Sequence, residues 1–248
     1  MDVRSLVEIL AWDSDHFGCR IARVVAKRLT PDLGRQILER VDEEKVDCLY
    51  FLAESADQGT VRVAEDLGFR LVDIRLRMEA DKAARSLSPR DLPPGISIRP
   101  AVEEDLPGLR ELSRDTFRHS RFYRDPNFPD TLCDALYEQW IENVFTAESG
   151  FVLVAGAPGE PVGYTAGRLQ DGVGEFDLLS VAPVAQARGL GQVLVERGIR
   201  WFFDAGAERV FTVTQGQNLR TQRVAMRAGI FPIGVEVWYH RWSRDSQS

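Results

Sequence analysis

Cysteine is scarce in this chain. The three present, Cys19, Cys48 and Cys133, lack metal-ligand spacing, and an odd number cannot all pair with one another. A reduced, cytoplasmic setting fits them, and no metal is expected. Positive charge is in deficit too: 31 Lys plus Arg against 38 Asp plus Glu gives 31 − 38 = −7, which disfavours nucleic acid held by bulk electrostatics. Uncharged apolar runs are short, none approaching the roughly 20 residues that a membrane helix needs. The opening MDVRSLVEILAWDSD puts acids where a signal peptide carries its apolar stretch. Neither nucleic acid nor membrane is therefore an expected partner. What is present, 44% hydrophobic and 28% charged residues, suits a globular chain with a real core. At roughly 100 to 200 residues per domain, its length means one large or two small domains.

The segment ADKAARSLSPRDLPP, residues 80–94, is charged, lacks apolar periodicity and ends in a Pro-Pro pair suited to an extended linker. It divides the chain into an N-terminal α/β domain over 1–92 and a second domain over 93–248. In the first, VEILAW, IARVVAK and DCLYFLAE read as strands and PDLGRQILERVDEE as a helix opened by Pro31. TVRVAEDLGF reads as a helix stopped by Gly68, and RLVDIRLRME as an alternating strand. The second opens with the strand ISIRPA and two helices, VEEDLPGLRELSRDTF and DTLCDALYEQWIENVF, joined by the loop RHSRFYRDPNFP. Three strand-like runs follow, FVLVAG, PVGYTAGRLQ and GEFDLLSVAP, then helix, strand, helix and the last strand GVEVWYHRW. The fold class is α/β (α+β), with an antiparallel start and a crossover finish. A faint internal echo sets Arg62, Val63, Ala64 and Gly68 beside Arg223, Val224, Ala225 and Gly229. Duplication of a helix-strand unit accounts for it, as does shared helix-stop chemistry at a glycine.

The most informative stretch is GEFDLLSVAPVAQARGLGQVLVERGI: a strand, a tight loop holding Gln186, Arg188, Gly189 and Gly191, then an amphipathic helix. Glycines at the mouth of a helix let backbone N–H groups approach a phosphate, and the helix dipole favours the anion. The glycines are too few at that spacing for a dinucleotide fingerprint, and the Lys-Ser/Thr pair of a nucleoside-triphosphate loop is missing.

With its flanking strand, Val181-x-Pro183-x-x-Gln186-x-x-Gly189-x-Gly191 resembles the acetyl-coenzyme A signature of the GNAT acetyltransferase superfamily, over about residues 95–242. The resemblance implies the GNAT fold with a mixed central sheet, preceded by a smaller α/β domain, and acetyl-CoA as co-substrate. It assigns the pyrophosphate to the backbone of Gln186, Ala187, Arg188, Gly189, Leu190, Gly191 and Gln192. Leu179, Ser180 and Val181 would pair with the pantetheine arm, and Asn218 would bond the coenzyme or a bridging water. In the acceptor half, Phe117-x-x-Ser120-Arg121-Phe122 and Tyr137-x-Gln139-Trp140-Ile141-Glu142-Asn143 resemble the dTDP-fucosamine acetyltransferase family, as does the opening Trp12-Asp13-Ser14-Asp15-x-Phe17-Gly18. That implies N-acetylation of a dTDP-4-amino-4,6-dideoxy sugar. A protein N-terminus, a polyamine or an antibiotic stands as the alternative acceptor, and a catalytically impaired CoA-binding module as the non-enzymatic alternative. A second copy of the chain, as a homodimer, completes the partners considered.

Acetyl transfer needs a neutral amine, stabilisation of the charge developing on the carbonyl oxygen, and a proton for the departing thiolate. Glu175 and Asp177, two apart on one strand, share a face and are the candidate bases. Backbone N–H groups near Leu179 and Val181 are the candidate oxyanion donors. His119 is a second base or a substrate contact, and Arg121, with Arg124 and Tyr123 in the same loop, would meet a nucleotide diphosphate. By the resemblance, a tyrosine seven residues after Asn218 would be the general acid, but that position is Ala225. Tyr239 on the last strand is the substitute considered. Trp140, Phe145 and Leu136 read as core.

Overall fold

The computed structural model describes residues 6–86, 90–92 and 95–243, so part of the expected linker, 87–89 and 93–94, lies outside the described residues. Along the first third run β1 (Val7–Ile9), α1 (Ala11–Phe17), β2 (Ile21–Val24), α2 (Pro31–Glu43), β3 (Cys48–Glu54), α3 (Gln58–Asp66) and β4 (Arg70–Ala80). Then come β5 (Ile98–Pro100), α4 (Leu106–Thr116), α5 (Arg121–Arg124), α6 (Asp130–Thr146), β6 (Gly150–Ala157), β7 (Glu160–Gln170) and β8 (Val173–Val181). The chain finishes with α7 (Leu190–Asp204), β9 (Arg209–Gln215), α8 (Leu219–Arg227) and β10 (Ile230–Trp242).

Two compact units result, and neither is one stretch of chain. Unit 1 takes Met1–Leu76, Ser120–Leu132 and Gly234–Ser248; unit 2 takes Arg77–His119 and Cys133–Ile233. The expected division at 92/93 differs from this one: α5 and most of β10 are grouped with the N-terminal segment, and β4 and β10 each contribute to both units. VEILAW also splits, its second half forming α1, closed by Gly18 in the left-handed region at φ +66°.

In unit 1, β1 pairs antiparallel with β2, β2 parallel with β3, and β10 antiparallel with β3. One apolar cluster joins Ile37 and Val41 of α2 to Leu49, Phe51 and Tyr239 of the strands. Other aromatics, Phe17, Tyr50, Phe122 and Phe128, pack on one another.

In unit 2, β5, β6, β7 and β8 are successively antiparallel, and β8 runs parallel to β9. Helix α7 lies against this sheet through Gly198, where a Cβ would come within 2.4 Å of the Phe176 ring. That close approach needs glycine.

The internal echo reaches further than a helix stop. The order β2–α2–β3–α3–β4 is repeated by β8–α7–β9–α8–β10, with the first two strands of each set parallel. Asp57 caps α3 by accepting from Thr60 N, and Asn218 caps α8 by accepting from Thr221 N. The two copies differ at the mouth of their first helix. Helix α2 is closed by Thr30, whose hydroxyl accepts from Leu33 N, with Pro31 next; α7 starts at Gly189 with no side-chain cap.

Candidate active site

The site begins with an irregularity in β8. Ala166 faces Leu178 and Gly167 faces Phe176, so Asp177 is the extra residue of a β-bulge. Gly167 opposite has no room for a side chain, since a Cβ would lie 2.2 Å from the Glu175 carbonyl oxygen. Strand β9 pairs with β8 only from Val173 to Phe176. Past the bulge, β8 is bonded to β7 alone. Ala182 N donates to Val162 O at 2.9 Å, which fixes the alternation. Ser180 and Leu178 exchange bonds with β7, and the N–H groups of Leu179 and Val181 face the side that β9 has left.

A cavity of about 150 Å³ occupies that opening. Phe117, Tyr137 and Trp140 form one wall, Asp177 and Leu179 the β8 edge, Thr212 and Thr214 the β9 edge; Asn218, Thr221 and Ala225 of α8 close it, with His119 at its margin. Asp177 has a side chain only 12% exposed, with Arg168 Nε 3.3 Å from its Oδ2. Burial pushes its carboxyl up to about 6, Arg168 pulling down and the nearby Glu175 adding to the rise. Glu175 is exposed and does not line the cavity.

After β8 the chain turns through Pro183–Ala185 into the loop that opens α7. Ala187 (φ +62°) and Gly189 (φ +78°) are both left-handed, and a Cβ at Gly189 would meet nothing within 4 Å. Among the described residues, the N–H groups of Gly189, Leu190 and Gly191 have no protein acceptor. Left-handed residues followed by a helix N-terminus with bare amides make a concave anion nest.

The side chains around the nest hold it in shape. Gln186 Nε2 donates to Val181 O at 2.8 Å, and its Oε1 accepts from Arg220. Gln192 is buried and donates to Glu196 at 2.8 Å; Ser180 Oγ donates to Leu112 O at 3.1 Å and lies 2.6 Å from Thr116 Oγ1. The backbone of Ser180 is itself bonded to β7 and Gln192 N donates to Gly189 O at 3.0 Å, so neither of these two expected residues offers a bare amide to a ligand. Arg188 is exposed, whereas Leu190 is buried against Leu194. Asn218 caps α8 by accepting from Thr221 N, and it also lines the cavity. Ala225 is buried at the cavity wall, so no phenol stands there.

Besides Glu175, three further expected residues do not join this cavity. Tyr239 belongs to the core of unit 1 and donates to Glu65 at 3.2 Å; burial pushes its hydroxyl up to about 12. Arg121 lies on α5, its guanidinium 4.3 Å from the Tyr50 ring centre and 4.4 Å from that of Trp238, with Nη1 donating to His240 Nε2 at 3.1 Å. Tyr123 lies on the same short helix. Conversely, Thr116, Tyr137, Trp140, Thr212 and Thr214 line the cavity without being among the residues expected there. The i, i+3 spacing of Tyr137 and Trp140, which sets both on one face of α6, was the available signal.

The sequence profile of the Acetyltransferase (GNAT) family matches residues 106–230. The chain is 27% identical to dTDP-fucosamine acetyltransferase of Escherichia coli O6:H1, over 97% of this chain and 100% of that one. It is 30% identical to mycothiol acetyltransferase of Kytococcus sedentarius, over 94% and 81%. Spore coat polysaccharide biosynthesis protein SpsD of Bacillus subtilis is 27% identical over 60% of this chain, which spans about half of SpsD (52%). Among solved structures, a GCN5-related N-acetyltransferase from Sphaerobacter thermophilus shares the fold with a TM-score of 0.66 at 17% identity, over 95% of this chain and 76% of that one. A splayed parallel strand pair, an uncapped glycine-led helix and a family profile spanning both lead to one conclusion: this chain belongs to the GNAT acetyltransferase family and is an acyltransferase.

Proposed function

We propose that the chain moves an acetyl group from acetyl-CoA to the primary amine of a small acceptor, a dTDP-4-amino-4,6-dideoxy sugar. The observation that carries the reaction is the nest of bare amides at Gly189 to Gly191, set one short turn beyond a strand edge whose N–H groups are free of β9. This geometry fits the coenzyme: the nest takes the pyrophosphate, and the edge at Leu179 and Val181 takes the amide-bearing arm as a further strand. Acetyl-CoA supplies the activated acyl thioester. The chain's own groups do the rest. Asp177 takes a proton from the acceptor's ammonium, and a backbone N–H of β8 is aimed at the oxygen on which charge develops. Removing one such donor typically lowers the rate by about 10²- to 10³-fold. Holding two substrates on one scaffold adds the entropic advantage of proximity. With Ala225 in place of a phenol, the thiolate leaves without a side-chain acid from α8.

The acceptor class rests on the alignment with the dTDP-fucosamine acetyltransferase, which runs the length of both chains. Similarity to mycothiol acetyltransferases supports a second reading, in which the acceptor amine belongs to a mycothiol-type compound. Thiol release from acetyl-CoA, measured with dTDP-4-amino-4,6-dideoxygalactose and with a panel of other amines, separates them. Turnover of the nucleotide sugar is the expected result. No turnover of it alongside clear turnover of another amine overturns the acceptor, and coenzyme binding without turnover of any amine overturns the reaction.

A further inference from the structure

Two residues that line the cavity each carry a polar atom that is shut from solvent and lacks a hydrogen-bond partner. One is Trp140 Nε1, a donor; the other is Asp177 Oδ2, an acceptor that Arg168 neighbours at 3.3 Å without hydrogen-bond geometry. Buried polar atoms in folded proteins are nearly always paired, so an orphan at a site points to a partner that arrives with the ligand. Beside the tryptophan, the rings stack in a ladder: Trp140 on Tyr137 with centroids 5.9 Å apart and planes 11° apart, and Tyr137 on Phe117 at 4.6 Å and 20°. If Trp140 served only as core, phenylalanine would fill much of the same space without a stranded N–H.

We propose that Trp140 is a specificity-determining residue: its indole N–H donates to an oxygen on the carbon next to the acceptor's amine, while Asp177 binds the amine itself. The inference rests on the amine-acceptor reading above and deepens it. One orphan donor and one orphan acceptor fit a vicinal amino alcohol, whereas a plain alkylamine satisfies only Asp177. The ring ladder offers an apolar wall to the hydrogen-bearing face of a pyranose.

The test uses the full chain and two probes, dTDP-4-amino-4,6-dideoxygalactose and its 3-deoxy analogue, which lacks the neighbouring hydroxyl. Wild type should prefer the hydroxylated sugar by about tenfold or more in kcat/KM, because a site built to donate a hydrogen bond discriminates against a substrate unable to accept it. Trp140→Phe should erase that preference by raising KM for the hydroxylated sugar far more than for the deoxy analogue. A wild-type ratio near one overturns the inference without recourse to the variant, and so does a Trp140→Phe enzyme that keeps the wild-type ratio or slows both probes equally. Failure of wild type to turn over either probe overturns the acceptor reading and this inference with it.

Discussion

Asp177 is the residue on which the proposed chemistry turns, and its environment makes two opposite demands. As a base it must be ionised, so kcat should rise with pH through about 6. Asp177→Asn should lower kcat by roughly 10²- to 10⁴-fold and abolish that limb, measured by thiol release from pH 5 to 9. For stability the sign reverses. Because burial raises the folded carboxyl above its ordinary value, its contribution to folding is full below about pH 4 and lost as pH rises through about 6. The same substitution should therefore raise Tm at pH 8 and change it little at pH 4. His240 behaves differently: burial lowers it to about 4, with the Arg121 charge adding to the depression, despite Nδ1 donating to Asp125 at 2.6 Å. The folded state thus resists protonation that the unfolded chain accepts below about 6.5, and stability should fall between pH 6.5 and 4. His240→Gln should flatten that slope in urea titrations at stepped pH. Strand alternation made Asp177 legible, but not the bulge that sets it inward, because a bulge depends on the partner strand's glycine. Tyr239 was attractive as a phenol near the chain's end; Glu65 and Phe51, remote in sequence, decide its place.

The loop and helix that form the nest were the most legible element, since glycine spacing states a backbone requirement directly. Gly189→Asp should put a carboxylate where the proposed reading seats the diphosphate, while its Cβ meets nothing in the protein. Aspartate tolerates the left-handed region better than most residues, so the fold should survive at a cost of about 1 to 2 kcal/mol. Calorimetry should then show coenzyme affinity falling by at least tenfold with the unliganded Tm within several degrees of wild type; unchanged affinity would sink the cradle. Helix α2 is the built-in comparison. Its proline removes the donor that corresponds to Leu190 N and its threonine caps Leu33 N, so the repeated pattern differs at this mouth. Periodicity located α2, α6 and β3 closely, whereas α1 was hidden inside a strand-like run and α5 inside a loop. Four to seven residues give periodicity little to act on, and tertiary partners set their conformation.

At the scale of the molecule, the grouping into units is not linear along the chain, for a reason of topology. The segment rich in proline and charge invited a cut near 92/93, yet unit 1 is assembled from three separate stretches of chain, including most of β10. A fragment of residues 93–248 should therefore not behave as an independent domain: it carries a strand whose partner β3 is missing. Expressed alone, it should aggregate or lack a cooperative melting transition, while the intact chain melts cooperatively; a soluble, cooperatively folding fragment would refute this. For the working enzyme, the position of the nest has a kinetic corollary. On the proposed reading, amides that grasp the phosphorus end cannot sense whether the distant sulfur still bears its acyl load, so spent and loaded carrier should compete for the same berth. Throughput would then follow the proportion of the two in solution more closely than the absolute supply of either.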